Sequence, residues 1–76
     1  MINKVKTYFD NEVKAVARFF TLHANDRGMA AKNAVINNAI AHCFGVTMFV
    51  QELGIPYDEV APLYEEHKAK LEKLYN

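Results

Sequence analysis

The fold of this chain is decided by residues 29–53, which read MAAKNAVINNAIAHCFGVTMFVQEL. Gly54 suits the left-handed position that follows a helix end, Ile55 supplies the hydrophobic contact that often accompanies it, and Pro56 prevents continuation. The stretch therefore predicts one long helix that ends at about residue 53.

This helix is apolar on two opposite sides when its residues are placed at about 100° intervals. One side is an ordinary core stripe of Val35, Ile36, Ala39, Cys43, Val46, Val50 and Leu53. The other side carries Ala30, Ala34, Ala41, Phe44, Gly45 and Met48. A helix that is apolar nearly all round is normally buried nearly all round. The pattern therefore predicts neighbours on both sides of the helix.

Residues 2–23 predict an amphipathic first helix, because apolar residues recur there at spacings of three and four. The short stretch that follows contains Asn25, Asp26 and Gly28, which favour a turn and a helix cap. A sharp reversal at this point predicts an antiparallel helical hairpin.

Residues 58–75 predict a third helix with a narrow apolar seam, formed by Val60, Tyr64, His67, Leu71 and Leu74. Pro62 is tolerated only near a first turn, so the helix begins either around Asp58 or at Pro62 after a short turn. The 76 residues together predict a single all-α domain, residues 1–76, built as a three-helix bundle.

A partner chain is expected for two reasons. A chain of this length is marginally stable alone, and Cys43 is its only cysteine, so no internal disulfide can help. In addition, two neighbouring helices on the core stripe leave the opposite side of the second helix in water. We therefore predict a homodimer, with a candidate interface of Ala34, Ala41, Phe44, Gly45 and Met48, formed through this side or through the first and second helices together. The alternative is a closed monomer in which the third helix crosses this side.

No catalytic, metal-binding or cofactor-binding residue is predicted. The sequence has no serine, and its three glycines are isolated, so it offers neither a serine nucleophile nor a glycine-rich phosphate loop. None of His23, His42 and His67 has a second histidine or a cysteine three or four residues later, and Cys43 falls on the core stripe. The chain is therefore predicted not to be an enzyme.

Residues 49–63 resemble the helix-turn-helix pattern of DNA-binding proteins, with Gly54 in the turn. The start of the would-be recognition helix offers Tyr57, Asp58 and Glu59, with no arginine, lysine, asparagine or glutamine for reading bases, and its two acidic residues repel phosphate. The basic first helix is the only other support for this alternative. Nine basic residues balance nine acidic ones, so nucleic acid and anionic membranes have no overall attraction for the chain.

The most apolar stretch, residues 39–50, is shorter than the ~20 residues of a membrane span, and no signal peptide is visible. The sequence thus predicts a cytoplasmic, non-enzymatic protein-interaction or homo-oligomerisation module, of the kind that small bacterial or phage reading frames often encode. The pattern names no cellular role or partner. A small helix-turn-helix-like, DNA-associated regulator is the alternative.

Overall fold

The computed structural model describes residues 1–23 and 28–75, and these form three helices that pack against one another, with no strand among them. Helix α1 spans Ile2–Leu22, α2 spans Met29–Glu52 and α3 spans Tyr57–Lys73. The prediction of an all-α, three-helix architecture is confirmed. The ends of the helices lie within two residues of those expected from the sequence pattern.

The direction of each helix follows from contacts between distant residues. The N-terminal ends of α1 and α3 share a groove lined by Ile2 and Leu63, so these two helices run parallel. Helix α2 runs the opposite way, because Lys32 near its start lies over the ring of Phe20 near the end of α1, at 5.8 Å. The first two helices thus form the antiparallel hairpin. The predicted capping of α2 by Asn25 or Asp26 falls outside the described residues.

Each helix contributes one apolar stripe to a shared core. The core residues are Val5, Phe9 and Val16 of α1, Ile36, Ala39, Cys43 and Val50 of α2, Ile55 of the joint, and Val60 and Leu71 of α3. Thr47 of α2 is also buried, and its hydroxyl donates to the carbonyl of Cys43 at 2.8 Å. A buried hydroxyl satisfied within its own helix costs little, so α2 can face the core with a polar residue.

Leu53 corrects the predicted core stripe of α2, because its side chain is 52% exposed. The helix ends at Glu52, and Leu53 is the C-cap residue, so it no longer follows the helical stripe. Ile55 takes the core position instead and is buried. The sequence pattern extended the helical period one residue too far.

The joint between α2 and α3 is a Schellman motif. Gly54 has φ 103°, and its amide donates to the carbonyl of Gln51, while the amide of Ile55 donates to that of Val50. The positive φ explains why glycine stands here, since a Cβ disfavours that conformation. The predicted roles of Gly54 and Ile55 in ending the helix match this geometry.

Helix α3 begins at Tyr57 and contains Pro62 within its second turn, so the start near Asp58 is the correct one of the two alternatives. Asp58 and Glu59 lie in the first turn and Lys70 and Lys73 in the last, as suits the helix dipole. Val60, His67 and Leu71 of the predicted seam are buried.

Replacing Gly54 with alanine is expected to lower the free energy of unfolding by about 1–2 kcal/mol, because a Cβ is disfavoured at positive φ. Urea titration followed by far-UV circular dichroism measures the loss. Gly54→Asn is the matched control and should cost less, because asparagine tolerates the left-handed region. Equal stability of wild type and Gly54→Ala would contradict the structural role of this turn.

Candidate functional site

The side of α2 that faces away from α1 and α3 is the candidate site. All five predicted interface residues, Ala34, Ala41, Phe44, Gly45 and Met48, are exposed. Ala30, Asn37, Asn38, Phe49 and Glu52 are exposed beside them. We call these ten residues the outer face of α2. Helices α1 and α3 leave these residues exposed, with Asn37 and Phe44 at the edge next to α3.

Large apolar side chains on the outer face are substantially exposed to solvent. Phe44 and Met48 are each 52% exposed and Phe49 is 60% exposed. One edge of Phe44 still contacts α3, where its ring lies 5.9 Å from that of Tyr64 in an edge-on arrangement. Phe49 was missed as an interface residue by the sequence reasoning. Its position four residues after Gly45 was the available signal.

The outer face is almost free of formal charge. No Asp, Glu, Lys or Arg occurs from residue 33 to residue 51, and Glu52 stands at the C-terminal end of the face. Asn37 and Asn38 supply its polar groups. Charged residues are depleted at the centre of protein–protein interfaces, so this composition is typical of a surface that another protein covers.

No contact or backbone angle in the described part of the chain requires a glycine at position 45. A Cβ built on it would meet nothing within 4 Å, and its φ is not positive. Glycine inside a helix costs about 1 kcal/mol relative to alanine. Among the residues that the structure describes, neither backbone geometry nor packing offsets that cost.

His67 forms the principal polar contact inside the bundle. Its ring is fully buried, with Nε2 2.6 Å from the Oδ1 atom of Asp10 on α1 and Nδ1 2.7 Å from the carbonyl oxygen of Leu63. Both ring nitrogens thus lie within hydrogen-bond distance of an oxygen atom. The hydrogen bond from His67, opposed in part by desolvation and assisted by Lys6 and Lys70, lowers the pKa of Asp10.

A second polar cluster joins α1 to α2 at the surface. The hydroxyl of Tyr8 donates to the Oε1 atom of Glu12 at 3.1 Å, and the Nδ1 atom of His42 lies 3.3 Å from the same oxygen. Desolvation and the Glu12 carboxylate raise the pKa of Tyr8. His42 is 65% exposed, and surface pairs of this kind contribute little to stability.

Cys43 is fully buried, and desolvation followed by the charge of Glu12 raises its pKa to about 11. The thiol therefore stays protonated at neutral pH, whereas a nucleophile or a metal ligand acts as the thiolate. Among the residues with described positions, no group of three or more His, Cys, Asp or Glu side chains is arranged to hold a metal ion.

Two clefts border α3. One, of about 250 Å³, lies between α2 and α3 and is lined by Asn33, Ile36, Asn37, Glu72 and Tyr75. The other, of about 450 Å³, lies between α1 and α3 and is lined by Ile2, Asn3, Lys6, Glu59 and Leu63. His67 lines neither cleft. The exposed large apolar side chains of the outer face make that face the stronger candidate.

The segment Ala30–Glu52 is also long and apolar enough to cross a membrane, judged by length and composition alone. The core helix of a soluble bundle passes the same test, and this segment supplies part of the core. The cytoplasmic location remains a prediction.

Comparison of the chain with protein-family models, with curated proteins and with solved structures finds no match in any of the three.

Replacing His67 with alanine is expected to cost roughly 2–5 kcal/mol of unfolding free energy, the range seen when a large buried side chain is truncated. His42→Ala is the matched control and should change stability by less than about 0.5 kcal/mol, because its ring is mostly exposed. Thermal and urea unfolding compare the two. Similar losses in both variants would contradict the central place of His67.

The lowered pKa of Asp10 also predicts a pH dependence. Its folded pKa lies below its unfolded value of about 3.9, so the folded state gains stability above that pH and loses it as pH falls through the folded pKa. We expect the unfolding free energy of the wild type to fall more steeply in acid than that of Asp10→Asn, which cannot take up this proton. Urea titrations in a series of acidic buffers measure both slopes. Parallel slopes would show that Asp10 and His67 are not coupled in solution.

Proposed function

We propose that this chain is a non-enzymatic protein-interaction module of the cytoplasm that forms a homodimer through the outer face of α2. The observation that carries the proposal is the exposure of Phe44, Met48 and Phe49 on one uncharged face of a central helix. Complete burial of such a side chain contributes roughly 1.5–3 kcal/mol, so about half of that is forgone by each in the isolated chain.

Gly45 gives independent support to the proposal. Glycine at this position destabilises the helix, and no contact among the described residues requires it. The missing side chain does allow another helix to approach closely. The nearby Ala41 is small as well. A helix from a second chain crossing at Ala41 and Gly45 would use the space that they leave.

The size of the molecule suits a second copy as the partner. A chain of 76 residues buries only about 60% of the surface that its unfolded form exposes, so burial of further surface against a second copy adds to its stability. A small domain without disulfides also gains stability from oligomerisation. Because the chain has equal numbers of acidic and basic residues, two copies do not repel each other through net charge.

The DNA-associated alternative receives no comparable support. Tyr57, Asp58 and Glu59 at the start of α3 are exposed, so the acidic groups lie where a recognition helix would meet phosphate and bases. A two-fold dimer through α2 remains the function that the surface favours.

Self-association is expected to give a molar mass of twice 8.7 kDa in sedimentation velocity and light scattering at micromolar concentration. Phe44→Glu places a charge on the outer face in both copies and should weaken the dimer by at least about 100-fold, which corresponds to roughly 3 kcal/mol. Tyr57→Glu is the control, because Tyr57 is an aromatic residue on α3 that is 61% exposed, against 52% for Phe44.

A wild type that remains monomeric at high micromolar concentration would refute the proposal. Equal weakening by Phe44→Glu and Tyr57→Glu would refute the choice of face. Co-sedimentation of the wild type, but not of Phe44→Glu, with neutral phosphatidylcholine vesicles would replace a protein partner with a lipid surface.

A further inference from the structure

We infer that the two α2 helices of the dimer run antiparallel and cross at Ala41, with the N-terminal half of each outer face packed on the C-terminal half of the other. This inference rests on the proposed self-association and specifies its geometry. It follows from the way that volume and charge are distributed along the outer face.

Small and large side chains occupy different halves of the outer face. Ala30 and Ala34 lie in the N-terminal half and Ala41 lies at the midpoint, while Phe44, Met48 and Phe49 lie in the C-terminal half, in which Gly45 is the one small residue. A surface with small side chains at one end and large ones at the other is complementary in shape to a second copy only when that copy runs in the opposite direction. A two-fold axis perpendicular to the helices then packs the large residues of each copy against the small residues of the other.

The antiparallel register can be stated residue by residue. With Ala41 on the two-fold axis, Ala34 lies opposite the partner's Met48, and Asn38 lies at the same height along the helix as the partner's Phe44. In a parallel pair, Met48 would meet the partner's Met48 and Ala34 the partner's Ala34. The helices would then be held apart at one end and leave a gap at the other, because helix axes pack at a nearly constant 8–10 Å.

Charge favours the same direction. The N-cap residue of α2, Gly28, provides no side-chain hydrogen bond, and the first turn of the helix contains no acidic residue. The antiparallel register brings Glu52 to the partner's Ala30, close to the positive end of the partner's α2 dipole. A parallel pair would instead place the two Glu52 carboxylates side by side.

Disulfide cross-linking distinguishes the two directions. In the antiparallel register, Ala41→Cys should cross-link to itself, and an equimolar mixture of Ala34→Cys and Met48→Cys should form the mixed dimer. Ala34→Cys alone should not, because position 34 lies seven residues from the axis and the two copies are then ~21 Å apart along the helix. A disulfide needs Cα atoms within roughly 7 Å. The native Cys43 can stay in place, since it is fully buried, and the unmodified chain is the control.

The variants are oxidised at micromolar concentration, and the products are separated by non-reducing electrophoresis after circular dichroism has shown that each remains helical. The expected result is a majority of cross-linked chain for Ala41→Cys and for the mixture, and background for each of the other two variants alone. A dimer in which Ala34→Cys and Met48→Cys each cross-link to themselves is parallel, which overturns this inference and leaves the proposed function standing. A dimer without the Ala34→Cys to Met48→Cys product also overturns it. A monomeric wild type refutes the proposed function itself.

Discussion

The apolar circumference of α2 is the constraint on which the rest of the structure depends. A three-helix chain provides this helix with two neighbours, and both contact the side formed by Ile36, Cys43 and Val50. The opposite side keeps Phe44 and Met48 half in water. The single chain therefore buries its core residues but leaves one apolar side of its central helix exposed.

Local sequence signals predicted most of the fold. The three- and four-residue spacings gave the helices, and Gly54 with Pro56 gave the end of α2, because these effects act within a few residues. Leu53 was placed in the core wrongly, since periodicity does not register that a C-cap residue has left the helix. The start of α3 stayed ambiguous at Pro62, because both starts satisfy the local rules and only packing chooses between them.

The candidate site was predictable for a similar reason, whereas the polar contact inside the bundle was not. Exposure of Ala34, Ala41 and Gly45 follows from counting the neighbours available to one helix. The pairing of His67 with Asp10 joins residues 57 positions apart in the sequence, and no local pattern marks them as partners. The seam of α3 placed His67 correctly, but it did not show what satisfies a buried imidazole.

That contact has a consequence for how α3 is aligned along α1. Apart from His67, the seam of α3 consists of apolar or aromatic side chains at regular spacing. A helix with such a seam can shift by one turn, about 5.4 Å, with a modest loss of burial. Slippage would carry the imidazole away from Asp10 and strand a buried donor, at a cost of about 1–3 kcal/mol. The hydrogen bond of 2.6 Å between His67 and Asp10 therefore favours the native alignment over alignments shifted by one turn. Apolar side chains alone discriminate poorly between these alignments.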